Sequence, residues 1–200
     1  MGKTSKASKA YYSRGSGTAN QSQRKSMTWV WIAAAVVGLV VIGALAVKSV
    51  QQSSDIPGIK YFSGLTFNHS TGTVNYAQTP PVGGDHNAEV LNCGIYDQPV
   101  PSENAVHSLE HGAVWVTYQP DLPQADVDKL RQLVRGHSHL LLSPYPGLPQ
   151  PVVASGWGVQ LQLPGADDPR LARFLKKYEQ GPQTREPGAE CTGGVGNPIS

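Results

Sequence analysis

The segment AVHSLEHGAVWVTY, from Ala105 to Tyr118, places His107 and His111 four residues apart with Glu110 between them. On an α-helix, residues at this spacing share a face, so both imidazoles would point the same way. Imidazole is the commonest protein ligand for zinc and copper, and two on one face make a bidentate pair. Glu110 has several roles open to it: a ligand, an outer partner that orients an imidazole, a general base, or a cap for backbone amides. Four of the six histidines, His69, His86, His107 and His111, fall between residues 69 and 111. His86 lies in TPPVGGDHN (79–87), where two prolines and two glycines dictate a constrained loop. His137 and His139 flank the end of a predicted helix and the start of a strand, and are expected to be solvated turn residues.

The string H-x-x-E-H also matches the inverted zinc-peptidase signature, in which histidines hold zinc and a glutamate activates water. That chemistry needs a long helix, a further acidic ligand and a substrate cleft. Here Gly112 and then a strand-like run follow at once. Other catalytic templates fit poorly. VASGWG around Ser155 is not G-x-S-x-G, and neither a phosphate loop nor a dinucleotide glycine motif occurs. A Cys93 nucleophile would require Cys93 to be unpaired.

The elements that position these residues can be read from periodicity. PSENAVHSLEHG allows a short helix from about 103 to 111, with Ser102 as N-cap and Gly112 as terminator. GAVWVTY (112–118) is a buried strand, rich in β-branched and aromatic residues. LPQADVDKLRQLVRG (122–136) and DDPRLARFLKKYEQG (167–181) carry helical spacing; Asp168 suits a cap and Pro169 the first turn. HLLLSPY (139–145) and PVVASGWGVQLQL (151–163) are expected strands, the second bent or bulged at Gly156 and Gly158. The order predicts an α+β domain, with a small mixed or antiparallel sheet and its helices on one face. The final CTGGVGNPIS is too glycine-rich for regular structure.

Upstream, Trp29–Val47 is an uncharged run of 19 residues. As a helix it would span about 28 Å, close to the hydrocarbon thickness of a bilayer. Seven Lys or Arg and no acidic residue precede residue 49; nine basic and fourteen acidic residues follow. The positive-inside bias predicts a single-pass membrane protein, with residues 1–26 as a disordered basic cytoplasmic tail and the C-terminal domain extracytoplasmic. Ala44-x-Ala46 offers a signal-peptide cleavage site instead, and both alternatives export the domain. The expected organisation is tail 1–26, transmembrane helix 29–47, linker 48–58 and domain 59–196. The basic tail suits anionic lipid, and nothing requires nucleic acid. In an exported domain the only two cysteines, Cys93 and Cys191, are expected to form a disulfide.

YAQTPPVGGDHN, NCGIY, VHSLEHGAVWVTYQPDL, LLSPYPGLPQPVVASGWG, DPRLARF and GPQTREPGAECTGGVG together resemble a bacterial, membrane-anchored family, the domain of unknown function 3105. The resemblance runs from about His69 to Gly196 and brings no established activity. It implies that His69, His86, His107, Glu110 and His111 belong to family motifs, as do Cys93 and Cys191, and it favours a common site without pointing to any particular chemistry.

The leading expectation is a transition-metal site for copper or zinc, with His86, His107 and His111 as ligands and His69 or Glu110 completing the shell. The competing readings are a non-catalytic envelope interaction module with structural histidines and an envelope protein partner, and a metallohydrolase using Glu110 as base. The sequence favours a binding role over an enzyme.

Overall fold

The computed structural model describes Gly2, residues 29–43 and residues 56–199. The rest of the tail expected over 1–26, residues 44–47 of the apolar run, and most of the linker expected over 48–58 lie outside the described residues. Residues 29–43 form a helix, α1, whose large apolar side chains, including Trp29, Trp31 and Leu39, are exposed. Among the described residues no helix is long and apolar enough to cross a membrane. The chain divides into two compact units, 1–55 and 56–200.

The second unit is α+β. Its strands are β1 (Ile59–Tyr61), β2 (Gly94–Ile95), β3 (Val114–Tyr118), β4 (Leu140–Pro144), β5 (Val152–Gly156) and β6 (Val159–Leu163). Its helices are α2 (Ser102–Glu110), α3 (Gln124–Val134) and α4 (Pro169–Tyr178). The six strands form one open mixed sheet in the order β1-β6-β5-β3-β4-β2. β2 and β3 run parallel to β4, and the remaining pairs are antiparallel. Parallel neighbours need a crossover connection, and α3 supplies the one between β3 and β4. The single bent strand expected over 151–163 is instead the hairpin β5–β6. Trp157 and Gly158 make its turn, where Gly158 takes φ +66°, a conformation that stops the strand rather than bending it.

Strand periodicity then sorts the core. Val114, Val116, Leu140, Leu142, Val152 and Leu161 face α3 and α4, which contribute Val127, Leu130, Val134, Leu171, Phe174 and Tyr178. The alternate residues Trp115 and Leu141 face the other way and pack with Ala105, Val106 and Leu109 of α2. The expected placement of helices on one face therefore holds for α3 and α4 and fails for α2. Every position of β3 and of β4 is buried, so the second apolar face also needs a cover. The buried indole of Trp115 donates Nε1–H to Ser143 Oγ at 3.0 Å.

Helix ends follow local rules with one correction. Asp168 caps α4 as expected, its Oδ1 accepting from the Arg170 amide at 2.9 Å, with Pro169 leading the helix. Ser102, expected as N-cap of α2, is its first helical residue; the cap is Pro101, whose ring fixes φ at −60° in extended backbone. Gly112 ends this helix at φ +95°, where a Cβ would meet Thr184 Oγ1 at 2.7 Å.

Cys93 and Cys191 are joined by a disulfide across a sequence separation of 98. The C-terminal strap lies along the segment before and within β2. Its hydrogen bonds include Cys93 N–H to Cys191 O (2.8 Å), Val195 N–H to Val90 O (2.9 Å) and Ile199 N–H to Ile95 O (2.8 Å).

Candidate metal centre

His69 and His86 come from loops, and backbone pairing brings them together. Ser70 N–H donates to His86 O at 2.7 Å and His86 N–H to Asn68 O at 3.0 Å, an isolated parallel bridge. The Pro/Gly loop is in turn tied to the β5–β6 hairpin by Gly158 N–H to Val82 O (2.7 Å) and Gln160 Nε2–H to Pro80 O (3.0 Å). Gly83 makes this approach at φ +140°; a Cβ there would lie 2.9 Å from Leu65 Cδ1 and 3.2 Å from the Trp157 ring. The segment after His86 is laid along α2. Asn104 Nδ2 donates to Glu89 O at 2.6 Å and Ser108 Oγ to Leu91 O at 2.7 Å.

These contacts bring His86 beside His107 and Glu110 on α2. Ring centroids are 4.9 Å apart for His86–His107 and 5.2 Å for His69 with either of them. One ligand atom from each of His69, His86, His107 and Glu110 can be chosen so that all lie within 4.8 Å of one another. His86, His107 and Glu110 are buried, while His69 is exposed.

The hydrogen bonds of the rings decide which nitrogen is free. His86 Nδ1–H donates to Gly84 O at 2.8 Å, and His107 Nδ1–H to Asn87 O at 2.8 Å. A carbonyl only accepts, so Nδ1 carries the proton and the neutral ring presents Nε2 as a lone pair. His86 Nε2 lies 3.0 Å from Glu110 Oε2, yet off the line of a hydrogen bond, and it is a fully buried nitrogen without a hydrogen-bond partner among the described residues. While the ring is neutral, this nitrogen and the carboxylate oxygen are two acceptors side by side, which a shared cation, a proton or a metal ion, resolves. Burial above all, with the neighbouring His111, pushes the His107 imidazole down from 6.5 to about 4. Its lone pair is therefore available at neutral pH.

His111 is not part of that group. It caps the C-terminus of α2 with its ring 4.6 Å from that of His107. Its Nδ1–H donates to Glu190 O at 2.6 Å and its Nε2 lies 3.3 Å from Glu186 Oε2. His107, His111 and Glu186 form a second possible ligand group. Glu110 turns its other oxygen to Arg185, with Nε at 3.2 Å from Oε1. The Arg185 guanidinium stacks over the Phe67 ring at 3.8 Å. The amides of Arg185 and Glu186 both donate to Glu110 O, at 3.3 and 3.1 Å.

His137 and His139 stand apart from this cluster. His137 is exposed and pairs with Glu179 Oε2 at 2.7 Å. His139, expected to be solvated, is buried, with Nε2 3.0 Å from Ala189 O and Nδ1 2.9 Å from Ser138 Oγ. The C-terminal strap covers it, and nothing local to residue 139 announces that. Sequence reasoning does not single out Arg185 and Glu186 for chemistry. Their one signal is a place in GPQTREPGAECTGG, ahead of Cys191.

Fold and site together define an α+β domain with an imidazole–carboxylate cluster on loops and one short helix, closed by a disulfide-held strap. A family model described as a protein of unknown function (DUF3105) matches residues 68–193, and the chain belongs to that family. The matched range includes His69, His86, His107, Glu110, His111, both cysteines and the strap residues Arg185 and Glu186. No curated protein and no solved structure matches the chain.

Proposed function

We propose that the domain binds a transition-metal cation, copper or zinc, through His86, His107 and Glu110, with His69 as the exposed fourth ligand. One observation carries this reading. Two buried imidazoles give Nδ1–H to main-chain carbonyls; His86 sets Nε2 beside the buried Glu110 carboxylate, and a ring nitrogen of His107 lies within 4.8 Å of the same group. Carbonyl-oriented imidazoles of this kind are the usual outer support of a metal site. Three imidazoles and one carboxylate suit a borderline first-row cation better than magnesium or calcium, which prefer all-oxygen shells. No free cysteine exists to add a soft ligand, so divalent copper is favoured over the cuprous ion.

Glu110 fits a ligand better than a general base. One oxygen faces His86 and the other Arg185, which leaves neither turned to a free water. The Glu110–Arg185 ion pair also supports a second reading, in which the cluster is a metal-free network inside an envelope interaction module. In either case we place the domain outside the cell on an N-terminal anchor, supported by the uncharged run Trp29–Val47 and the basic residues ahead of it.

Metal content of the purified, untagged 200-residue chain decides between them. Near-stoichiometric copper or zinc, lost in a His86→Ala/His107→Ala variant that still folds, is the expected result. A chain that refuses both ions, and whose stability is unchanged by strong chelator, would leave the metal-free network standing.

A further inference from the structure

Potential ligands continue outward along α2 from the buried site, and a role for them rests on the metal reading of that site. His107, His111 and Glu186 form a second group whose ligand atoms lie within 4.8 Å of one another, and it shares His107 with the buried one. The two groups differ in access. The His86 and Glu110 side chains are 0% and 6% exposed, whereas those of His111 and Glu186 are 13% and 56% exposed. The outer pair is also held in place. His111 is fixed through Nδ1–H to Glu190 O, and the Glu186 amide is bound to Glu110 O at 3.1 Å. The backbone of an inner ligand thus fixes the main chain of the outer residue, Glu186.

His107 cannot serve both groups at once. Its Nδ1 is occupied by Asn87 O, so only Nε2 remains, and one lone pair binds one ion. Its ring stands 4.6 Å from that of His111 on one side and 4.9 Å from that of His86 on the other. A cation held by His111, Glu186 and His107 can release the first two and take His86 and Glu110 while His107 stays in contact. We propose that His111 and Glu186 form an outer loading position for a divalent cation, which passes to the buried ligands by exchange around His107. The alternative is a surface ion pair between His111 and Glu186 that does no more than hold the strap.

Kinetics separate the two. The full chain is mixed with cupric ion, and loading is followed by quenching of tryptophan fluorescence; Trp157 lies with its ring 6.0 Å from that of His86. EDTA then strips the ion. In Glu186→Gln, and again in His111→Gln, loading and stripping are both expected to slow by one common factor, with affinity unchanged. Slowing in both directions marks a lost step on the route, because the same step serves entry and exit. Wild-type rates in both variants would overturn the route and leave the buried site intact. Faster stripping would also overturn it, by making Glu186 a ligand of the final site. A wild-type chain that takes up no copper would overturn both the route and the site.

Discussion

On one face of the sheet, α3 and α4 lay Val127, Leu130, Phe174 and Tyr178 over alternate strand residues. On the other, α2 shares its cover with loops and a strap, and these carry every polar group of the candidate metal centre. The first face is held by apolar area and is insensitive to direction. The second adds to its own apolar cluster a set of directed contacts between distant parts of the chain: His86 to Asn68, Ser108 to Leu91, Glu110 to Arg185, Cys93 to Cys191. A stability defect and a site defect should therefore be separable by face.

The largest effect should come from the apolar face. Phe174 is fully buried, with its ring 4.6 Å from that of Tyr178. Phe174→Ala is expected to cost roughly 3–5 kcal/mol in chemical denaturation, as for other large cavities. While the variant is folded, metal uptake should match wild type. A loss of uptake under those conditions would show that the faces are coupled after all.

The same contrast explains what the sequence reveals. β3 is legible from its run of β-branched and aromatic residues, α3 and α4 because each buries one face at helical period, and Asp168-Pro169 announces a helix start. α2 is legible as a helix but not as a helix on the other face, because that depends on which side of Trp115 and Leu141 needs cover. β1 and β2 have three residues and two, too short for any period to show. In the site, the histidines and Glu110 stand out by type. Their convergence does not, since it rests on main-chain bonds between Asn68–Ser70 and His86. The partners that fix the rings, Gly84 O, Asn87 O and Glu190 O, are carbonyls that any residue supplies.

The disulfide should give the next largest effect. Losing the bond that closes a loop with a separation of 98 residues is expected to cost about 2–4 kcal/mol, the usual size for a disulfide and below the roughly 4–5 kcal/mol of the chain-entropy treatment. In a Cys93→Ser/Cys191→Ser variant the strap loses its covalent tie, so Arg185, Glu186 and Glu190 should loosen around α2. Hydrogen exchange of the Arg185 and Glu186 amides should then speed up more than that of β3 or β4. Uniform acceleration would mean that strap and sheet open as one unit.

Acid should act first on the polar face, because the Asp168 carboxyl at the start of α4, lowered by its bond to Arg170, gives way only below the usual carboxylate range. His107 is held near 4 in the folded, metal-free chain and titrates near 6.5 when unfolded. Between those values the unfolded chain binds the extra proton, so stability falls as pH drops from about 6.5 towards 4 and levels off below. His107→Gln should flatten that part of the profile. A slope that survives the substitution would assign the acid sensitivity to other groups.

The smallest stability effect, and the sharpest on the site, is expected at Gly83. Its φ of +140° is strained for any side chain, and an added Cβ would press on Leu65 Cδ1 at 2.9 Å and on the Trp157 ring at 3.2 Å. Leu65 can turn its methyl away, so Gly83→Ala should cost only about 1–2 kcal/mol. The backbone has less room. Gly83 lies three residues before His86, between the bond from Gly158 N–H to Val82 O and the His86–Asn68 pairing. A shift of a few tenths of an ångström there moves the His86 ring relative to a carboxylate 3.0 Å away, while the helices of the opposite face stay where they are. Affinity for copper or zinc should therefore fall by more than the loss of stability accounts for, measured by competition with a chelator of known strength. If affinity and stability fall in proportion, the Pro/Gly loop is part of the general packing and the polar face has no separate scaffold.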